Sequence, residues 1–294
     1  MMTQLSYNGL TATVDSHGGE LVSLLDAQGR EAVWNGDPAF WSGRNPLLFP
    51  IVGNPKEGTV LFNGKPFHMN RHGFAREQDF SVVRQGSDFV LLRLTENGET
   101  LARYPFSFSL TVCHRLLASG FSTSFTVLNT GDTPLPFCIG AHTAFFCPFS
   151  GDEAGRFEDY TLVFDQEETA DTLLLSSEGL IRPGKRERIL NASARLSLDY
   201  ALFSRLDTVI FEGLHSRGVS LMHEKTGRGI HMDFDGFPLI AFWTKPDAPY
   251  LCMEPWHGLA AAENESGEFT DKPHCLTLAP QEMKTFCYTV ALLM

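Results

Sequence analysis

The sequence predicts an all-β protein, and three observations carry that prediction. Apolar and polar residues alternate with a period of two, Asn-Gly pairs punctuate the chain, and amphipathic runs at helical spacing are hard to find. Phe106-Ser107-Phe108-Ser109-Leu110-Thr111-Val112 alternates without a fault. Phe121-Ser122-Thr123-Ser124-Phe125-Thr126-Val127 does nearly the same, with Thr123 at one apolar position. Such a pattern buries one face of a strand and wets the other. The Asn-Gly pairs at 8–9, 35–36, 63–64 and 97–98 tolerate the positive φ that tight hairpins require.

Leu196-Ser197-Leu198, Val219-Ser220-Leu221-Met222 and Leu276-Thr277-Leu278 read as further strands, and Asp199-Tyr200-Ala201-Leu202-Phe203 as a single turn or short helix. The 24 Phe against 6 Tyr suit the inner faces of pleated sheets. No internal repeat, low-complexity tract or linker divides residues 1–294, so one domain, a sandwich or barrel, is expected.

Composition excludes several classes. A formal charge of −12 argues against a nucleic-acid backbone as partner, because that binding relies on clustered Lys and Arg. No stretch approaches the roughly 20 apolar residues that span a bilayer, and the N-terminus lacks the basic and apolar regions of a secretory signal. The six cysteines, Cys113, Cys138, Cys147, Cys252, Cys275 and Cys287, are scattered through apolar segments without a C-x-x-C, which reads as reduced core residues of a cytoplasmic protein.

Familiar cofactor and nucleophile signatures are missing: there is no G-x-G-x-x-G, P-loop, H-E-x-x-H or G-x-S-x-G, so neither a cofactor nor a metal is expected. His231, Asp233 and Asp235 share a strand face but read as its polar outer side. Three segments set ionisable groups in apolar or conformationally special sequence. The first joins Arg44 through Asn54 to Asn70-Arg71-His72-Gly73-Phe74-Ala75-Arg76. The others are Cys138 through Phe146, around His142, and Tyr250 through Gly258, around Glu254. Glu254 follows four core-like residues, and Pro255 is expected to end the ladder there. A carboxylate in that place is either ion-paired or kept with a raised pKa for chemistry. His142 is either a satisfied core histidine or a site residue, and His72 either a loop residue or part of the same site.

Taken in order, these segments resemble the signature blocks of the aldose 1-epimerase, or galactose-mutarotase-like, superfamily, most closely its bacterial LacX-type and hexose-6-phosphate-mutarotase-like branches. The resemblance rests on Arg44 through Leu-Phe-Pro, the His-Gly-Phe-Ala-Arg run at 72–76, Tyr104-Pro105-Phe106, Gly-Ala-His at 140–142, Glu-Pro-Trp at 254–256, and Leu276-Thr277-Leu278 with Pro280. It implies a large twisted β-sandwich, the supersandwich, with few short helices, holding a sugar in a groove on one sheet. It also implies interconversion of α and β anomers by acid–base ring opening. Glu254 would be the general base and His142 the general acid, with His72, Arg44, Arg71, Arg76, Asp207 and Trp256 binding the sugar.

That chemistry needs one ionised and one protonated group in the same resting site. With a pyranose between them, their functional atoms are expected roughly 5–8 Å apart. In galactose mutarotases proper the first histidine block is not followed by Phe-Ala-Arg, so galactose specificity does not carry over. Position 71 is Gln in some sugar-phosphate mutarotases. The three arginines can clamp a phosphate, serve sugar hydroxyls or form salt bridges, so the partner is a sugar or a sugar phosphate. The expected assembly is a monomer or homodimer. A carbohydrate-binding or regulatory protein on the same fold, without turnover, is the alternative.

Overall fold

Alternation becomes sheet. Strand accounts for 53% of the chain and helix for 9%, which meets the all-β expectation. The computed structural model describes residues 1–151 and 155–293. Among these, the α-helices are Gly98–Arg103 and Tyr200–Leu206. The second is the short helix expected near Asp199, whose side chain accepts from the Ala201 N–H as its N-cap.

Two large antiparallel sheets pack together. The rear sheet runs in the order Ile181–Ser197, Tyr160–Leu175, Gly218–His223, Gly229–Asp233, Met283–Leu293, Gly120–Asn129, Phe108–Leu117, Phe89–Thr95, Ser81–Gln85. The front sheet runs Thr208–Glu212, Leu239–Trp243, Tyr250–His257, Ile139–Ala141, Leu47–Leu48, and Thr143–Phe146 also pairs with Tyr250–His257. Phenylalanines meet between the layers, as in Phe49 with Phe108 (5.2 Å) and Phe164 with Phe242 (6.1 Å). A three-stranded meander, Met2–Tyr7, Leu10–Asp15 and Glu20–Leu25, one short hairpin, Thr59–Phe62 with Lys65–His68, and the long-range pair Leu135–Phe137 with Leu276–Leu278 complete the described strands.

The turn residues divide into two groups. Asn8-Gly9 and Asn63-Gly64 have positive φ throughout and close two-residue hairpins, as expected. Asn97-Gly98 does not. Thr100 sits three residues on and completes a capping box with Asn97, so this pair starts a helix instead.

Thr123 explains its own irregularity. In the strand Phe108–Leu117 every second residue is buried, and His114 takes one of those inward places. Thr123 lies opposite it, in register, and its hydroxyl meets Nδ1 of His114 at 2.8 Å, while Nε2 reaches the Gly19 carbonyl at 2.9 Å. The polar residue in an apolar row is therefore the partner of a buried imidazole. Burial holds the pKa of His114 down, from 6.5 to about 4. Its contribution to stability is full above the unfolded value near 6.5 and is lost as pH falls toward 4. At about 1.4 kcal/mol per pH unit this is on the order of 3 kcal/mol. Urea titrations at pH 7 and pH 4.5 should show a smaller acid loss for His114→Gln than for the parent chain, and an unchanged loss would mean the imidazole is not held neutral.

Candidate active site

The middle strand of the front sheet, Tyr250–His257, is buried along nearly its whole length. It carries Glu254 toward a groove that His142, Arg71 and Asp207 also line. Pairing on one side sets Gly140 against Trp256 and Thr143 against Met253, one continuous register that brings His142 opposite Glu254. Pairing on the other side sets Ala241 opposite Glu254 and Ile210 opposite Ala241. The carboxylate thus stands between an imidazole and a methyl group, which leaves room above it.

Pro255 does not end the strand, which runs on to His257. Opposite it, however, the neighbouring strand breaks between Ala141 and Thr143. The missing proline N–H thus falls where the ladder already lapses, and His142 occupies the break.

Nε2 of His142 lies 3.3 Å from Oε1 of Glu254, with their side chains 7% and 1% exposed. This is closer than the 5–8 Å expected, because directly opposed residues of an antiparallel pair have Cβ atoms only about 4.5–5.5 Å apart. The contact is not aligned as a hydrogen bond. Both Glu254 oxygens, Nδ1 of His142 and Nε1 of Trp256 are buried without a hydrogen-bond partner. Such groups are costly to leave unsatisfied and mark a functional place.

Burial dominates the electrostatics. It pushes the Glu254 carboxyl well above its ordinary range, Arg71 pulls it partly back, and Asp207 raises it further. It also draws His142 down to about 3, helped by the Arg71 and Arg76 charges. The expected carboxylate beside an imidazolium is therefore not the favoured resting form: desolvation favours a neutral acid beside a neutral base. The pair holds one transferable proton in either form.

Around it the expected residues fall at two distances. His72, Arg71, Asp207 and Trp256 line the groove together with Trp243 and Ile210. His72 is buried at a positive φ of 65°, and its Nδ1 accepts from the Gly53 N–H at 3.1 Å. The next residue, Gly73, has φ 76°, and a Cβ there would stand 2.2 Å from the Phe49 carbonyl oxygen, so only glycine allows this approach. Nε of Arg71 also donates toward Nε2 of His72 at 3.1 Å. A neutral imidazole accepts at one nitrogen only, so Arg71 is the partner able to turn toward a ligand.

Arg44 and Arg76 stand back from the groove lining. Nε of Arg44 donates to the Asn35 carbonyl, and Nη2 of Arg76 donates to that of Arg71.

Sequence reasoning missed Trp41 and Trp243. The Trp41 ring lies 4.9 Å from that of His142 at 36°, and Trp243 meets the same imidazole edge-on at 5.6 Å. Gly43 makes this possible, since a Cβ there would stand 2.3 Å from the Trp41 ring. The available signal was composition: the chain has only four Trp, and three of them gather here.

His142, Cys252 and Glu254 also place donor atoms within 4.8 Å of one another. Burial is the main cause that holds the Cys252 thiol well above its ordinary pKa. A wider trough between Phe62, Phe67 and Phe106 has Lys65 and Glu268 at its sides, and no histidine is among the described residues that line it.

Glu254 should weaken the fold at high pH. Its folded pKa is raised, so its contribution is full below about 4.5 and is lost as pH rises toward the folded value. Glu254→Gln is expected to unfold at a higher temperature than the parent at pH 8, by an energy that grows by up to about 1.4 kcal/mol per pH unit above 4.5. The two melting curves should converge near pH 4.5, and equal melting at both pH values would contradict a raised carboxyl.

The geometry meets known proteins at every level. A family model for aldose 1-epimerase matches residues 1–273. The chromosomal and plasmid forms of protein LacX from Lactococcus lactis subsp. lactis are each 33% identical over 301 residues, covering all of both chains. A galactose mutarotase related enzyme from Lactobacillus acidophilus superposes with a TM-score of 0.94 at 27% identity, covering 100% of this chain and 98% of that one. A galactose mutarotase-like protein from Lactobacillus casei gives 0.93 at 28%, with full coverage of both. This chain belongs to the aldose 1-epimerase family and has the galactose-mutarotase-like fold.

Proposed function

We propose that the protein is an aldose 1-epimerase that interconverts the α and β anomers of an unphosphorylated aldose, with Glu254 as general base and His142 as general acid. The observation that carries this reading is the buried pair itself, in contact and yet without aligned hydrogen bonds. The resting pair holds one proton. Its passage from Glu254 to His142 gives the carboxylate and imidazolium that ring opening requires. The carboxylate then takes the proton of the anomeric hydroxyl while the imidazolium protonates the ring oxygen, and the C1–O5 bond breaks. Rotation about C1–C2 in the open-chain aldehyde, followed by the reverse transfers, closes the other anomer. His72 and Arg71 are placed to bind oxygens near the reacting carbon, Asp207 to accept from hydroxyls, and Trp256 and Trp243 to cover an apolar ring face.

A free sugar fits the charges better than a phosphate. Among the described residues Arg71 is the single Arg or Lys lining the groove, and the carboxyls of Asp207 and Glu254 line it too. A phosphate clamp calls for converging forked donors, and Arg44 and Arg76 do not line the groove, each donating to a backbone carbonyl. A binder without turnover would be the second reading, but it has no use for an unsatisfied acid–base pair.

Polarimetry on freshly dissolved aldoses and aldose 6-phosphates tests both parts. Glu254→Gln is expected to lose about 10²–10⁴-fold in kcat while sugar binding largely survives. Normal turnover by this variant would refute the mechanism. Free aldoses should exceed their 6-phosphates in kcat/KM by at least about tenfold, and a preference for the phosphates would overturn the substrate class.

The pH profile carries a sign. Activity requires one proton on the pair, so it should fall at high pH through the raised Glu254 value and at low pH toward that of His142, about 3. The Arg71 charge lowers both values, so Arg71→Ala should move both limbs to higher pH. An unmoved profile would mean that Arg71 does not act on the pair.

A further inference from the structure

Two cysteines outside the proposed chemistry stand across from each other. The strands Leu135–Phe137 and Leu276–Leu278 pair antiparallel, with Leu135 against Leu278 and Phe137 against Leu276. The next step of that register sets Cys138 opposite Cys275, and both are free thiols. Opposed residues of an antiparallel pair have Cα atoms about 4.5–5.5 Å apart, inside the roughly 4.4–6.8 Å that a disulfide bridges.

The two sites are unequal. Cys138 is fully buried, its N–H bonded to the Pro50 carbonyl at 2.7 Å, and its sulfur lies 2.6 Å from where a Cβ on Gly258 would be. Cys275 is partly exposed. Lys272, a buried cation whose Nζ reaches both oxygens of Glu265 at 3.1 Å, acts on both thiols. The hydrogen bond between the thiols is the largest influence on each: it draws Cys275 down and, together with burial, pushes Cys138 well up. Cys275 is therefore the sulfur that a small oxidant can reach, and Cys138 the one hidden behind it. Reactive cysteines have this setting of cationic neighbour, partial exposure and adjacent resolving thiol.

We propose that Cys138 and Cys275 form a peroxide-sensitive dithiol, an oxidative modification site in which Cys275 reacts first and Cys138 closes the disulfide within the folded chain. The Cys275 thiolate attacks one oxygen of hydrogen peroxide, the O–O bond breaks, and the displaced hydroxide takes up a proton to leave as water. The sulfenic acid so formed is attacked by Cys138 sulfur, which gives up its proton. The S–O bond breaks, a second water leaves and the S–S bond forms. Two thiols lose two electrons, and one peroxide is reduced to two waters.

The site is independent of the epimerase reading, because its test needs no sugar. The intact chain is treated with a small excess of hydrogen peroxide in native buffer, quenched with an alkylating maleimide and digested without reductant. Mass spectrometry should find a cross-linked peptide joining Cys138 to Cys275, with two of the six thiols lost to alkylation and both restored by dithiothreitol. Cys138→Ser should leave a sulfenic acid on Cys275 that dimedone traps, and Cys275→Ser should slow oxidation of Cys138 by at least about tenfold, the resolving thiol being hidden. The proposal fails if Cys138 and Cys275 both remain alkylatable while Cys113 or Cys287 oxidises, or if the cross-link appears only in denaturant.

Discussion

The strand Tyr250–His257 must keep one register with neighbours on both sides, and the candidate site depends on that constraint. A slip of one residue would turn Glu254 to the opposite face and replace it with Pro255 or Met253. The register is held by burial: the strand's apolar residues pack on both faces, so each alternative alignment would put a carboxylate into the inter-sheet core. The sheet tolerates Glu254 only where it is, with the small Ala241 on one side and the strand break at His142 on the other. The aromatic contacts between the two layers supply the packing against which this unfavourable burial is maintained.

Low dielectric decides how the pair behaves. In water, a carboxylate and an imidazolium at 3.3 Å would be an ordinary ion pair; here removal from solvent disfavours both charges, and a neutral couple is preferred. Arg71 sits where its charge offsets part of that bias on the carboxylate and adds to it on the imidazole. Its side chain also touches His72. One guanidinium is thus linked to the proton balance of the site and to the neighbouring His72.

The fold was legible because its signals are local. Phe108, Leu110 and Val112 alternate with polar residues, and the alternation alone gives the strand and its buried face. Even Thr123, a fault in the pattern, marked a real feature, although its partner His114 is visible only once the two strands are paired. Glu254 and His142 stood out because ionisable groups in apolar runs need a reason. Their mutual distance was not legible, since it follows from a register 112 residues apart in sequence. Asn97 misled because capping by Thr100 competes with hairpin formation at the same dipeptide. Arg44 and Arg76 were placed by type, but backbone carbonyls, which no residue type announces, engage their side chains. Trp41 arrives from a loop whose path depends on Gly43, a relation without periodicity.

The rear sheet does not close on itself, so it has two margins, Ile181–Ser197, bridged only at Ile181 to Ala262 among the described residues, and Ser81–Gln85. An open margin offers unpaired amides to any other strand it meets. The first carries Pro183, Lys185, Arg186 and Arg188, and its pairing with Tyr160–Leu175 is interrupted by repeated register shifts. The second is short and bulged between Val82 and Arg84. Proline withholds a donor, charged side chains keep the margin hydrated, and bulges twist the ladder away from flatness. Margins built this way are poor templates for a strand of a second copy.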